Sequence, residues 1–511
     1  MPKEKLSRKK IILILAGIMT SLLLSALDST VVSTAMKRIA EDMSGMDLYS
    51  WPFTAYMLCS TIAIPVCGSL ADIYGHKPMF ITGIAIFLSG SMLCGSSQSM
   101  MQLIVFRGLQ GIGGGMIVSG VFTAVADIFE PAQRGRYTGI VTSMYGLASI
   151  IGPAAGGFVT DTLGWRFIFF MNIPLGITAV VLIAFSMPGY RSGERKKADV
   201  RGMAFLVLAL LPVLLAFSMA GNEFKWISLP CICMLTASAV MAVLFIFSEK
   251  RSENPVMPLY FFRDRAIGIS FVMAFFSQAI MFSAIMYLPY FIQGVIGSTA
   301  AVSGAVITPM MLGLLLASNL SGQIVSRAGK ARVLSLCAFA VMGTGAFLLS
   351  GMGVDTAYGT AIIFMVILGF GVGMSMPVTN VNAQNAVPGK QISSVTASVM
   401  FFRNIGSTVG SAAYGAIMAV SLKKGFAGID MHYMPVRLQA LMKDLQVITS
   451  AKTVASVKSR VPGDYTVYFD KIYFQTKEVL ANSIHSVFLL CVGLAAAGFL
   501  AALFLREASL K

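Results

Sequence analysis

The chain has 511 residues, 56% of them hydrophobic and only 12% charged, with a formal charge of +16 and a mean hydropathy of +0.79. That balance excludes an ordinary soluble domain and predicts an all-α polytopic membrane protein. The positive charge does not argue for nucleic acid, because the basic residues fall mainly in short gaps between apolar segments, where membrane topology accounts for them.

Met1 to Lys10 is basic and runs into a long apolar segment without a small-residue cleavage site, which reads as an uncleaved first span. Apolar runs long enough to cross about 30 Å of hydrocarbon begin near Ile11, Tyr49, Met79, Met101, Tyr137, Ile168, Gly202, Ser228, Ala266, Ala300, Val333, Tyr358, Ser394 and Ser483. Fourteen transmembrane helices are expected. An even number puts both termini on one side, and the inner segments hold twenty-three Lys and Arg against four in the short outer loops, which places both termini in the cytoplasm. The outer segment 421–482 carries nine more basic residues but is too long to report on topology. Its stretches Tyr433 to Ile448 and Tyr465 to Ala481 read as two amphipathic helices or a hairpin on the outer mouth, or else as a solvated loop. The seven cysteines lie in apolar segments without metal-ligand spacing, so neither disulfides nor a metal site nor a cofactor is expected.

Helix 1 carries Asp28, the only acid well inside any span, about seventeen residues or roughly 26 Å from the inner end. An acid near the middle of a membrane helix costs roughly 3 kcal/mol and faces a protein interior or a water path. Arg107 in helix 4 lies about 10 Å from the outer end, so both fall in the outer half of the bilayer and form a candidate pair. Pairing favours the carboxylate and separation within the membrane disfavours it, which makes a switchable proton site. A tie of Arg107 to carbonyls and to Gln110 is the structural alternative.

A weak internal repeat is present. Gly68 and Gly75, after helix 2, bracket a tight inner turn that contains Asp72 and ends in Lys77; Gly322 and Gly329 do the same after helix 10. The run Gly111 to Gly115 in helix 4 resembles Gly369 to Gly373 in helix 12 at nearly the same offset. The expected organisation is an N-terminal six-helix bundle (residues 1–187), an inserted helix pair with its basic linkers (188–265) and a second six-helix bundle (266–511), with a site between the bundles. In helix 5, Gly152, Pro153, Gly156 and Gly157 make a pliable packing face. The aromatic stretch Asp161 to Gly176 reads as an interfacial anchor for helix 6. Met144 and Tyr145 of helix 5, with Phe276, Gln278 and Tyr287 of helix 9, are candidates for a cavity lining, since thioethers and aromatic faces suit varied apolar cations, and Gln110 of helix 4 and Arg403 of helix 13 are the polar substrate-binding candidates beside them. No GxxxxGK[ST] loop occurs, so direct ATP drive is unsupported.

In order along nearly the whole chain, Asp28 to Val32, Gly68 to Lys77, Arg107 to Gly111 and Gly146 to Gly157 resemble motifs of the major facilitator superfamily, and within it the fourteen-helix drug/proton antiporters of bacteria. The resemblance implies a non-enzymatic exporter of the plasma membrane. Asp28 would carry the coupling proton, Arg107 would modulate it, Asp72 and Lys77 would latch the inward gate, and the helix 5 glycines would form the interface that rocks. This chain departs from the family at Lys37, where a proline is usual, and at Ile73 and His76, where basic residues are common. Helices 9 to 14 hold no acid within the hydrocarbon but do hold Gln278, Asn319, Asn380, Asn382, Gln384 and Arg403. Substrates are therefore expected to be lipophilic monovalent cations, zwitterions or neutral compounds, handled by a monomer with protons and membrane lipids as its other partners. Export of one specific metabolite, lipid or peptide, and a non-transporting membrane sensor, are the rival readings.

Overall fold

The computed structural model describes residues 7–43, 48, 51–189, 198–219, 224, 227–297, 300–388, 391–429, 458 and 466–507. These are almost wholly helical. Helices α1 (Arg8–Asp42), α2 (Trp51–Tyr74), α3 (His76–Gly95), α4 (Met100–Ile128) and α5 (Pro131–Thr162) lead to a short α6 (Phe167–Phe170), which turns at Met171 into α7 (Asn172–Ser186). The pair α8 (Val200–Met219) and α9 (Leu229–Arg251) follows, then α10 (Arg265–Tyr290), α11 (Ala300–Ala328), α12 (Ala331–Ser350), α13 (Tyr358–Asn385), α14 (Ile392–Ala427) and α15 (Thr466–Leu503). With α6 and α7 counted as one span, every expected crossing is met by a helix. Thirteen are apolar and long enough to cross a membrane by composition alone. The fourteenth, α5, has 32 residues, and its hydropathy is diluted by glycine, serine and threonine on a helix that packs against both α1 and α11.

The expected outer segment 421–482 is shorter at both ends, because α14 continues to Ala427 and α15 begins at Thr466, well before Ser483. Phe469, Ile472, Thr476 and Leu480 are buried at helical spacing, and this stripe runs in phase into the last span, so nothing separates an amphipathic helix from it. The other stretch, Tyr433 to Ile448, lies outside the described residues.

The repeat is visible in packing. In the first bundle, Gly111, Gly113 and Gly115 of α4 let its backbone approach Tyr56 and Ser60 of α2 and Phe87 of α3, where an added Cβ would lie 2.4 Å from their backbone atoms. In the second, Gly369, Gly371 and Gly373 of α13 bear in the same way on Met310 and Leu314 of α11 and Met342 of α12, at 2.1 to 2.6 Å. The α2–α3 and α11–α12 turns correspond too: Gly75 and Gly329 end the preceding helices with φ of 93° and 65°, a left-handed conformation that glycine adopts without strain. One large apolar core gathers residues of α10 to α15, and others gather residues of α1 to α7. α8 leans on the seam between them, with Leu206, Leu210 and Leu214 in the same cluster as Ile64 of α2 and Ala397 of α14.

The bundles meet chiefly along α2 with α14 and α5 with α11, and to a lesser extent along α4 with α14 and α5 with α13. At the face that carries Lys77, they are closed on one another. The Asp72 carboxylate accepts from the Ser394 hydroxyl at 2.5 Å and its backbone N–H at 3.2 Å. His76 lies between Ser393 Oγ (3.1 Å) and Asp127 (2.8 Å). Arg134 donates to Asn385 at 3.3 Å, and the Gly135 N–H to Ser326 Oγ at 2.7 Å. Added Cβ atoms would stand 2.3 Å from Ala397 at Gly68 and 2.2 Å from the Gly322 carbonyl at Gly135.

Candidate functional site

Asp28 and Arg107 meet. The α1 carboxylate, 2% exposed, accepts a hydrogen bond from Arg107 at 2.6 Å, from Gln110 Nε2 at 2.8 Å and from Asn172 Nδ2 at 2.8 Å. Arg107 and Gln110 are one helical turn apart on α4 and so share a face, and Arg107 also donates to Gln110 Oε1 at 2.8 Å. Asn172 is the first residue of α7, a position set by the break at Met171 that turns α6 into α7. Its amide also donates to Ser91 Oγ at 2.9 Å, and Ser91 in turn donates to the Phe169 carbonyl. The Arg107 guanidinium lies 4.4 Å from the ring centre of Tyr56, whose hydroxyl is 3.1 Å from Ser25 Oγ. A buried ion pair is tolerable only when its remaining valences are met; here both carboxylate oxygens are, while Arg107 Nε has no partner.

Chemically, this is a buried carboxylate whose partners are a guanidinium and two amides, all on helices of the first bundle.

The other sequence candidates distribute as follows. Gln110 is part of the Asp28 network and fully buried, not on a cavity wall. Lys77 does not reach across the seam: its ammonium donates to the Ala184 carbonyl at the end of α7 at 2.6 Å, within its own bundle, where a cation suits the carbonyl end of a helix. The side-chain contacts across the seam at this face are made by Asp72 and His76 instead. Gly152 packs on α1 inside the first bundle, where a Cβ would overlap Thr30 Oγ1 at 1.9 Å, and Gly157 meets nothing within 4 Å. The helix 5 glycines that bear on the other bundle are Gly135, Gly139 and Gly146, facing α11. Gly156 is buried, and α5 stays helical through Pro153. Met144 and Tyr145 are half-buried against the first core, and Tyr145 is in electrostatic range of Arg403 on α14. Phe276 packs on the second core and Gln278 Oε1 is buried without a partner. Tyr287 sits inside the second core, edge-on to Tyr414 at 6.3 Å, which removes it from a shared lining. Sequence reasoning missed Asn172, Tyr56 and Ser91. Asn172 had a usable signal: an amide among aromatic residues, just before Pro174, is poorly explained as an interfacial anchor.

A helical membrane protein with twin bundles, a seam between them and a charged pair buried in one is the architecture of a secondary transporter. Residues 18–411 match the family model of the Major Facilitator Superfamily, and the chain belongs to that superfamily. It is a multi-pass membrane transporter, not an enzyme. Among its relatives are the multidrug transporter protein MdtP of Bacillus subtilis, 33% identical over 100% of this chain and 96% of the relative, and multidrug resistance protein 3 of Bacillus subtilis, 30% identical over 98% and 96%. Among solved structures, the proton:xylose symporter XylE superposes with a TM-score of 0.61 at 13% identity, covering 98% of this chain and 97% of that one. The human organic anion transporter MFSD10 gives 0.61 at 13% identity over 94% and 99%. These two likenesses speak to the fold alone.

Proposed function

We propose that the protein is a proton-coupled antiporter that exports lipophilic small molecules across the plasma membrane of a bacterium by alternating access, with both termini cytoplasmic. The bundles 1–187 and 266–511 would rock about the α2–α14 and α5–α11 seams, with 188–265 riding on them. The observation that carries the reading is the buried Asp28–Arg107–Gln110–Asn172 network. A purely structural role would be served as well by apolar residues of similar volume, without the desolvation of two charges. Two relatives, a multidrug transporter and a multidrug resistance protein by name, support drugs as the cargo.

In this mechanism the closed Lys77 face is the outward-directed state. Proton entry from outside neutralises Asp28, releases Arg107 and frees α1 from α4; return to the inward-directed state lets the carboxylate re-form its three hydrogen bonds and shed the proton as cargo binds. The test is ethidium efflux from energised cells with and without a protonophore, native chain against Asp28→Asn. Native efflux is expected to be abolished by the protonophore and to fall at least tenfold in the variant. Full uncoupler-sensitive efflux by Asp28→Asn would sink the assignment.

A further inference from the structure

Arg403 is the twelfth residue of α14, about 17 Å along the helix from its first residue and thus deep in the membrane. Its side chain is 6% exposed. All of its polar contacts are neutral: Thr379 Oγ1 at 3.2 Å, the Met376 carbonyl at 3.5 Å and Met400 Sδ at 3.4 Å. Nε has no partner, and among the described residues no carboxylate lies within ion-pairing distance. The contrast with Arg107, which has a carboxylate 2.6 Å away, is direct. Arginine does not escape burial by losing its proton, so the charge stays and wants an anion.

The surroundings point the same way. Asn380, next along α13 from the Thr379 that holds Arg403, is 1% exposed, and neither its side-chain oxygen nor its nitrogen has a partner. From the opposite bundle, Tyr145 of α5 is in electrostatic range of the guanidinium, and Met400, Phe401 and Phe402 beside it pack into the core of the first bundle. Arg403 therefore stands at the seam, where rocking of the bundles would uncover it. Planar, with a fork of donors, it is shaped for a carboxylate or sulfonate.

We propose that Arg403, a substrate-binding candidate from sequence, is the receptor for an anionic group on the transported molecule, so that the cargo class includes amphipathic carboxylates and sulfonates alongside the apolar cations, zwitterions and neutral compounds expected from sequence. This rests on the export reading of the same seam.

The test uses purified full-length protein and a fluorescent pair that differs in one group, dansylglycine and its neutral carboxamide, dansylglycinamide. Native protein is expected to bind the carboxylate at least tenfold more tightly, Arg403→Met to bind the two alike, and Arg403→Lys to keep part of the preference, having the charge without the fork. Equal binding of both probes by the native protein, or an undiminished preference in folded Arg403→Met, overturns the proposal; the native comparison decides even where the variant does not fold. Ethidium efflux by the native chain is measured alongside. A carboxylate preference with no efflux retains the anion site and removes the export reading, and efflux with no preference does the reverse.

Discussion

On the proposed reading Asp28 binds and releases a proton inside the membrane, and its hydrogen-bond donors are the groups that such a cycle must break and remake. Arg107 supplies charge, and Gln110 and Asn172 supply one amide hydrogen bond each. A hydrogen bond to a charged group contributes about 1.5–3 kcal/mol. Asn172→Leu keeps the volume and removes one donor from the buried carboxylate, so protonophore-sensitive efflux is expected to fall several-fold with the fold kept. Native-level efflux by the variant in proteoliposomes would show Asn172 to be a packing residue only. At this scale the sequence was partly legible. A lone acid and an arginine at matched depth identify each other because an unpaired charge in hydrocarbon is so unfavourable. Asn172 and Tyr56 are uncharged, carry no such penalty alone, and acquire meaning only from the turn at Met171 and the packing of α2 on α4.

At the scale of elements, the decisive property is which side of a helix a glycine faces, and a linear motif does not carry that information. The helix 5 motif in this chain serves two surfaces: Gly152 lets α1 in, while Gly146, with Gly135 and Gly139 earlier on the helix, lets α11 in from the other bundle. Gly157, in the same motif, faces open space. Gly157→Ala is therefore expected to change stability by no more than about 1 kcal/mol, in the favourable direction that helix propensity gives, and to leave efflux at the native rate. Gly152→Ala forces Thr30 aside and is expected to cost about 1–3 kcal/mol through overpacking, read as a lower melting temperature together with weaker efflux. Equal effects of the two in a thermal melt and an efflux assay would contradict the packing described. Number and order of spans were readable from the sequence because twenty-odd apolar residues leave the chain no other use in a membrane. The start of α15 was not, because the stripe through Phe469, Ile472 and Leu480 is amphipathic, and helical periodicity alone does not say whether such a stripe stops before the span or runs into it.

Over the whole molecule, twofold design coexists with onefold chemistry. The glycine contacts of α4 and α13 repeat almost residue for residue, yet the buried carboxylate belongs to the first bundle, and the second offers an arginine with only neutral partners. On the proposed reading, proton and cargo are handled on opposite sides of a seam, and coupling requires that the seam itself move. At the Lys77 face it is held by Asp72 on Ser394, by His76 between Asp127 and Ser393, and by backbone approach at Gly68 and Gly135. Because the Asp72 carboxylate reaches the Ser394 hydroxyl, thiols at those two positions fall within the span of a short bifunctional methanethiosulfonate. In a background with the seven native cysteines replaced, Asp72→Cys/Ser394→Cys, bridged by that reagent as shown by mass spectrometry, is expected to reduce ethidium efflux at least tenfold relative to the same protein unbridged. Dithiothreitol should restore it, and either single cysteine should be indifferent to the reagent. A cross-linked protein that exports at its reduced rate would mean that the path for cargo does not run through this face, and the alternating-access reading of the two bundles would fall with it.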